Sequence, residues 1–432
     1  MKFSLKFNLL VLLAMLSCRA VAQQAQQELE GPDLQALQLA DQTATTSETP
    51  SNWRVFGEGS LGGAILRADD SFQPDQRLSF DAQYDNTFAP GWRAVFSDRL
   101  DADNPPQVPA NHVINTVKES YLSWQAAPDL LFDFGRINER NGVALGYNPT
   151  DYFKTDAVRS VVSVDPNSLK ENRQGSVMLR MQKLSDLGSV TLLFSPKIND
   201  DVSNASFNPD FGATNNDNRW LLSISPKIAE GFNPKLLIFK SDQLPTQFGL
   251  NLTDLISDAA VIYVEWSGGR SPSLLAQSLQ QQGLPVDSDS AFRNRLASGL
   301  TYTTENKISL TAELDYNGAG LNQHQWNALW TEPLPIYGLY RQWLQVVQES
   351  PTKPAAFFYG TWQDAGINHL DFSAMERLDL DDSSRLSWLE ARYHLTHTEF
   401  ALQWQLNSGS RLSEYGASAQ VQTWALVGRY YF

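Results

Sequence analysis

The chain has 432 residues, a formal charge of −15, one cysteine and an aromatic content of 11%. So acidic a balance argues against nucleic acid as a partner, because a phosphate backbone needs a basic surface. A lone cysteine rules out a disulfide framework, and past residue 22 no stretch approaches the ~20 consecutive apolar residues of a spanning helix.

The N-terminus carries Lys2 and Lys6, an apolar run from Leu9 to Leu16, and Ala20-Val21-Ala22. This three-part layout predicts a signal peptide over residues 1–22, cut after Ala22. Cys18 lies upstream of that cut, and Met15-Leu16-Ser17 makes a poor lipidation signal. Losing Lys2, Lys6 and Arg19 with the leader takes the formal charge from −15 to about −18, which suits an exported protein. Residues 23–51 are rich in Gln and Thr and lack aromatics, so they read as a flexible periplasmic segment, with a short docking helix around Leu34 to Ala40 as the alternative.

From Asn52 onward the chain alternates apolar and polar residues in short runs, the period-two signature of strands. The runs fall near 52–66, 75–88, 91–101, 115–126, 129–137, 173–184, 188–197, 218–228, 233–241, 245–254, 258–267, 293–304, 306–316, 354–362, 367–378, 384–395, 398–408 and 420–432. In one, Leu78, Phe80, Ala82 and Tyr84 oppose Arg77, Ser79, Asp81, Gln83 and Asp85; in another, Leu310, Ala312 and Leu314 oppose Thr311, Glu313 and Asp315. After every second run the link is short, as in "FAPG", "SDLG", "ENK" and "HT", whereas links 138–172, 198–217, 268–292 and 317–353 are long and polar. Sorting of loops by parity predicts an all-β fold, a transmembrane antiparallel up-and-down β-barrel over residues 52–432 with about 18 strands, or 16 as the alternative.

The link at 138–172 contains Asn148-Pro149-Thr150-Asp151, a turn signature in which Pro fixes φ while the polar side chains bond nearby amides. It reads either as a surface loop stapled by its own side chains or as a loop folded inward to constrict the lumen. Link 317–353 concentrates Trp326, Trp330, Tyr337, Tyr340 and Trp343, with a possible helix over Tyr340 to Glu349. Its aromatics make either the small core of an external cap or a lining for a sugar or aromatic solute. His112, His324, His369, His394 and His397 show no metal-ligand spacing, and no nucleophile motif stands out, so neither catalysis nor a metal or other cofactor is expected.

The final run ends at Phe432, with Trp424, Leu426, Gly428 and Tyr430 on the same face and Thr423, Ala425, Val427, Arg429 and Tyr431 on the other. In a bilayer the last strand must pair with the first, which makes Phe432 a rim aromatic and the expected handle for the barrel assembly machinery. Running odd strands outward places Arg54, Arg93, Arg392 and Arg429 toward the periplasmic end of the lumen, beside Glu58, Glu390 and Glu399. Either these charges neutralise one another in a lattice, or an arginine surplus gives a weak local anion preference.

The segment Val117 to Phe153 carries Glu119, Tyr121 and Leu122, then Gly135 and Arg136, then Gly142 and Asn148 to Asp151. With Ser413 to Gly416 and the terminal Tyr430-Tyr431-Phe432, it resembles porin-like outer-membrane barrels of proteobacteria that bear an Asn-Pro-Thr-Asp loop, loosely related to alginate and polysaccharide export channels. Asn141 stands where that group carries Trp. The resemblance implies a barrel in the outer membrane of a Gram-negative bacterium, in contact with lipids and lipopolysaccharide, and adds Glu119 and Tyr121 to the pore-lining candidates. The expected function is diffusion of small hydrophilic or amphipathic solutes; the alternatives are an export conduit for a polysaccharide or lipid, and a plugged scaffold.

Overall fold

The computed structural model describes residues 51–107, 111–200, 214–229, 231–286, 289–331 and 334–432. The expected signal peptide, and all of the leader but Ser51, lie outside the described residues. The strands are β1 (Trp53–Leu66), β2 (Phe72–Ala89), β3 (Trp92–Asn104), β4 (Val113–Ala127), β5 (Leu130–Ile137), β6 (Ser176–Ser185), β7 (Gly188–Ser195), β8 (Arg219–Pro226) and β9 (Phe232–Ser241). They continue with β10 (Gln247–Ser257), β11 (Ala260–Ser271), β12 (Ala291–Thr303), β13 (Ile308–Asn317), β14 (Pro354–Trp362), β15 (Leu370–Asp379), β16 (Arg385–His394), β17 (Thr398–Ser408) and β18 (Gln420–Tyr431).

Every strand pairs antiparallel with its sequence neighbours, and β18 returns to β1 with Phe56 opposite Tyr431 and Leu66 opposite Gln420. The result is one closed 18-stranded barrel with no free strand edge. β2 starts earlier than its alternation indicates, running through Pro74 opposite Gly63, because proline at a sheet rim interrupts the sequence signal without interrupting the strand.

Period-two alternation becomes an outside and an inside. Leu78 and Phe80 are exposed on the outer surface, while Ser79 and Asp81 are buried toward the lumen. Aromatic rings gather at both ends of the outer surface. At the short-turn end Trp53 meets Tyr84 at 4.6 Å, Trp92 meets Trp124 at 5.7 Å and Tyr430 meets Phe432 at 5.2 Å. At the long-loop end Phe194 meets Trp220 at 4.1 Å and Trp404 meets Trp424 at 5.8 Å. Within β4 a bulge breaks the alternation: Ser97 faces Glu119 and Asp98 faces Val117, so Lys118 is an extra residue and both it and Glu119 point into the barrel.

Among the described residues four helices lie in the long loops: α1 (Pro166–Glu171), α2 (Leu274–Gln281), α3 (Gln323–Leu329) and α4 (Leu334–Val347). α4 contains the start of the helix expected at Tyr340 but begins earlier; α1 to α3 were not legible as helices because they are short and lie in polar links. Side chains of Asp165, Ser273 and Asn322 cap α1, α2 and α3. Trp326, Tyr337, Tyr340, Leu344 and Leu274 form a buried cluster that joins α2, α3 and α4, with Trp330 and Trp343 packed at its edge. Of the two readings of these aromatics, the geometry matches a cap with its own small core.

Candidate functional site

The chain between β5 and β6, residues 138–175, turns inward at the long-loop end and crosses the lumen. Two wall carboxylates hold it. Glu265 on β11 accepts from Val143 N at 2.9 Å, Ala144 N at 3.2 Å and Thr150 N at 2.7 Å, and from Thr150 Oγ1 at 2.9 Å. Glu313 on β13 accepts from Leu145 N at 3.0 Å, Tyr147 N at 2.9 Å and the Tyr263 hydroxyl at 2.7 Å. Backbone amides of an irregular segment need acceptors once they leave water, and here carboxylates supply them. Glycine makes the approach possible. A Cβ on Gly142, at φ +105°, would lie 2.6 Å from Glu265 Oε2, and one on Gly146 would lie 2.5 Å from the Phe357 ring.

Asn148, Pro149, Thr150 and Asp151 are all buried in this contact. Asn148 Nδ2 donates to Glu265 at 3.3 Å, Thr150 Oγ1 donates to Asn251 at 3.0 Å, and Asp151 pairs with Arg173 at 2.6 Å. Lys154 pairs with Glu349 at 2.9 Å and the Tyr147 hydroxyl donates to the same carboxylate at 2.7 Å, which ties the loop to the base of the cap. Tyr152 stacks on Phe239 of β9 with centroids 4.5 Å apart. Farther along, Arg77 of β2 donates to Val162 O at 2.9 Å and Tyr359 of β14 donates to Asp165 at 2.9 Å. The loop therefore touches both sides of the barrel.

Charge in the loop is asymmetric. Burial pushes the Lys170 ammonium down to about 8, against the pull of Glu265, Asp151 and Glu313; it donates to Ala144 O at 2.8 Å. For Glu171, burial raises the carboxyl, but Lys118, Arg54, Arg140 and Arg429 together bring it below the usual glutamate value. Glu171 is solvent-exposed and feels Lys118 on β4, Arg54 on β1 and Arg429 on β18, together with Arg140 of the loop itself.

The remaining candidates lie at the seam where the barrel closes or on β3 and β4 beyond it. Glu58 accepts from Arg77 at 2.9 Å, Arg99 at 3.0 Å and Arg429 at 2.7 Å. Arg392 pairs with Glu390 at 2.8 Å and Glu399 at 2.9 Å, and Arg429 reaches Glu399 at 3.5 Å, which joins the two groups. Arg93 holds Asp85, with Nε 2.6 Å from Oδ1. Glu119 lies near Arg93, Arg140 and Arg180, and Tyr121 packs beside the apolar cluster of Ile137 and Met178. Arg54 has no ion pair among the described residues; its guanidinium sits 5.8 Å from the Phe56 ring and 5.9 Å from that of Tyr431. Three of the four seam arginines are thus neutralised, and the expected surplus shrinks to Arg54.

Sequence reading did not single out Glu265, Glu313, Lys118 or Glu171. Glu313 was on the polar face of a clean strand, and Glu265 is a lone acid between Val264 and Trp266, where a lumenal strand position needs a buried partner. That isolation was the available signal.

No family model matches the chain, and no curated protein matches it. Solved structures do. OccAB1 of Acinetobacter baumannii superposes with a TM-score of 0.56 at 9% identity, over 88% of this chain and 96% of that one. A substituted Rhodopseudomonas blastica porin gives 0.42 at 11% identity, over 88% and 100% of the two chains, and Salmonella typhi OmpF in complex with daunomycin gives 0.41 at 10%, over 88% and 97%. Only the first exceeds 0.5, and at such identity the likeness is one of fold.

Proposed function

We propose that this protein is a porin-like channel in the outer membrane of a Gram-negative bacterium, through which small hydrophilic or amphipathic solutes diffuse. The short turns face the periplasm, the long loops and helical cap face outward, and lipids with lipopolysaccharide surround the aromatic belts. One observation carries the reading: the inward loop packs tightly on β11 and β13, while lumenal side chains of β16 to β18 keep partial access to solvent. Glu265 and Glu313 are 0% and 2% exposed beneath the loop. At the seam the Arg392 and Arg429 side chains retain 18% and 21% of their exposure, Glu171 is exposed, and Gln403 and Gln405 are only partly buried. A barrel of this strand number is wide enough for an aqueous path unless loops fill it.

In this reading Asn148 to Asp151 form the anchored shoulder of the constriction, and Arg54, Glu58, Arg93, Glu119, Tyr121, Glu390, Arg392, Glu399 and Arg429 line the path. The Asn-Pro-Thr-Asp loop also supports a distant kinship with barrels placed beside alginate and polysaccharide export channels. Transport needs no catalytic group and no cofactor. Arg54, which makes no ion pair among the described residues although it lies in the field of Glu171, favours a weak anion preference despite the acidic chain. The loop's contacts with β2 and β14 favour a second reading, a plugged scaffold. Swelling of proteoliposomes in isosmotic arabinose or glycine separates the two: a channel swells them, a plugged barrel does not, and exclusion of these solutes would end the proposal.

A further inference from the structure

Past its anchored half, which ends at the Lys154–Glu349 pair, the inward loop continues as a strap. At one foot Gln107, in the link between β3 and β4, holds the Val161 backbone at two points: Val161 N donates to Gln107 Oε1 at 2.8 Å, and Gln107 Nε2 donates to Val161 O at 3.1 Å. Beside it Arg77 on β2 donates to Val162 O at 2.9 Å, and at the other foot Tyr359 on β14 donates to Asp165 at 2.9 Å. Strands β15, β16, β17, β18 and β1 lie between β14 and β2 in the closed sheet. With strands ~4.8 Å apart and tilted by about 40°, that stretch of wall measures roughly 38 Å, whereas the three steps from Val162 to Asp165 reach at most ~11 Å. The strap therefore cuts off an arc of wall and does not follow it.

Strap and wall differ in chemistry. Ser160, Val161, Val162, Ser163 and Val164 carry no charge. On the arc, Glu390 and Arg392 of β16 and Gln403 and Gln405 of β17 keep partial access to solvent; Gln403 Nε2 donates to Glu390 at 2.6 Å, and Arg392 pairs with the same carboxylate at 2.8 Å. Val164 packs on the lumenal cluster of Phe357, Met375, Leu386 and Trp388, which Val161 and Val162 do not join. The contacts at that foot use the backbone of Val161 and Val162 and leave their side chains uncommitted. Among the described residues 138–175, Val161 is the one large apolar side chain left exposed, at 44%. Apolar surface held in water gains free energy when an apolar solute edge covers it.

We propose that Val161 and Val162 are specificity-determining residues of the channel, and that it favours amphipathic solutes over wholly hydrophilic ones of the same size. A compact alkyl edge passes along the strap while a polar or zwitterionic head exchanges hydrogen bonds with Glu390, Arg392, Gln403 and Gln405. The inference rests on the channel reading and narrows its solute class. A solute with hydroxyls in place of methyls forfeits the contact with the strap, and a wholly apolar one leaves the wall groups without partners. A one-sided contact discriminates far less than an enclosing pocket, so the expected preference is about two- to fivefold.

Swelling of proteoliposomes in L-valine against L-threonine tests it, because the two solutes share a zwitterionic head and a shape and differ by one methyl for one hydroxyl. With glycine as the reference solute, the native channel should admit valine about two- to fivefold faster than threonine. In the double variant Val161→Thr, Val162→Thr, which keeps side-chain shape, the ratio should fall to about one while glycine entry and heat-modifiable migration stay native. Glycine entry with equal valine and threonine rates in the native protein would overturn the inference and leave the channel reading standing; so would a ratio untouched by the double substitution. The native ratio decides by itself where the double variant does not fold. Exclusion of glycine from native proteoliposomes would end both.

Discussion

Replacing Glu265 by alanine should release the inward loop and widen the channel without opening the barrel. In the native protein this carboxylate accepts three backbone amides, those of Val143, Ala144 and Thr150, together with Thr150 Oγ1 and Asn148 Nδ2. A buried amide that loses its acceptor costs ~1–3 kcal/mol, and water in the lumen will satisfy part of the set, so the docked loop should lose on the order of 3–6 kcal/mol. That is enough to move a two-state loop from mostly docked to mostly free. The ladder of β10, β11 and β12 does not involve the side chain, so the barrel should keep its heat-modifiable gel migration. Single-channel conductance in planar bilayers should rise severalfold for Glu265→Ala and by less for Glu265→Gln, which keeps one acceptor oxygen, and trypsin should gain access to Lys154 and Arg173. A folded Glu265→Ala barrel with native conductance and native trypsin resistance would refute the anchoring role.

Glu58→Ala leaves Arg77, Arg99 and Arg429 facing one another and should lower barrel stability by ~3–5 kcal/mol, read as a drop in the temperature of gel-shift unfolding; an unchanged temperature would mean the seam network is dispensable. Trp326→Ala should cost about 3–5 kcal/mol of cap stability and make the cap protease-sensitive while conductance stays native; altered conductance would return these aromatics to the permeation path. Lys170 titrates near 8 in the docked loop and near its ordinary 10.5 when free, so the free loop binds more protons between these values and docking strengthens as pH rises from 8 to 10. Loop-opening flicker should therefore fall over that range and lose its pH dependence in Lys170→Met; flicker that increases would contradict the sign. Phe432→Ser should reduce the amount of barrel inserted in cells and leave folding into detergent intact; equal cellular levels would argue against Phe432 as an assembly handle.

The barrel was legible because each strand has a polar side and an apolar side, and an apolar exterior around a charged lumen imposes that alternation on every strand. "RLSFDAQYDN" alone sets the facing of Leu78 and Asp81. The parity of links such as "ENK" and 317–353 then supplies topology, since only one end of such a barrel carries long loops. The site was less legible. Asn148 to Asp151 announce a turn, but whether that turn lies outside or across the lumen depends on Glu265 and Glu313, 117 and 168 residues distant in the hydrogen bonds they make. No local pattern encodes such a pairing. Seam arginines were legible as lumenal but not as paired, because Glu58 and Arg429 meet only through closure, 371 residues apart in the chain. Lys118 escaped notice because the bulge that turns it inward leaves no trace in alternation.

Conductance of the purified native protein in a planar bilayer, with its reversal potential under a salt gradient, tests the proposed channel most directly. Heat-modifiable, folded protein should insert in discrete steps of constant size, with a small reversal potential of the anion-preferring sign that disappears in Arg54→Ala. Folded protein that leaves the bilayer silent at every potential would contradict an aqueous path through the lumen.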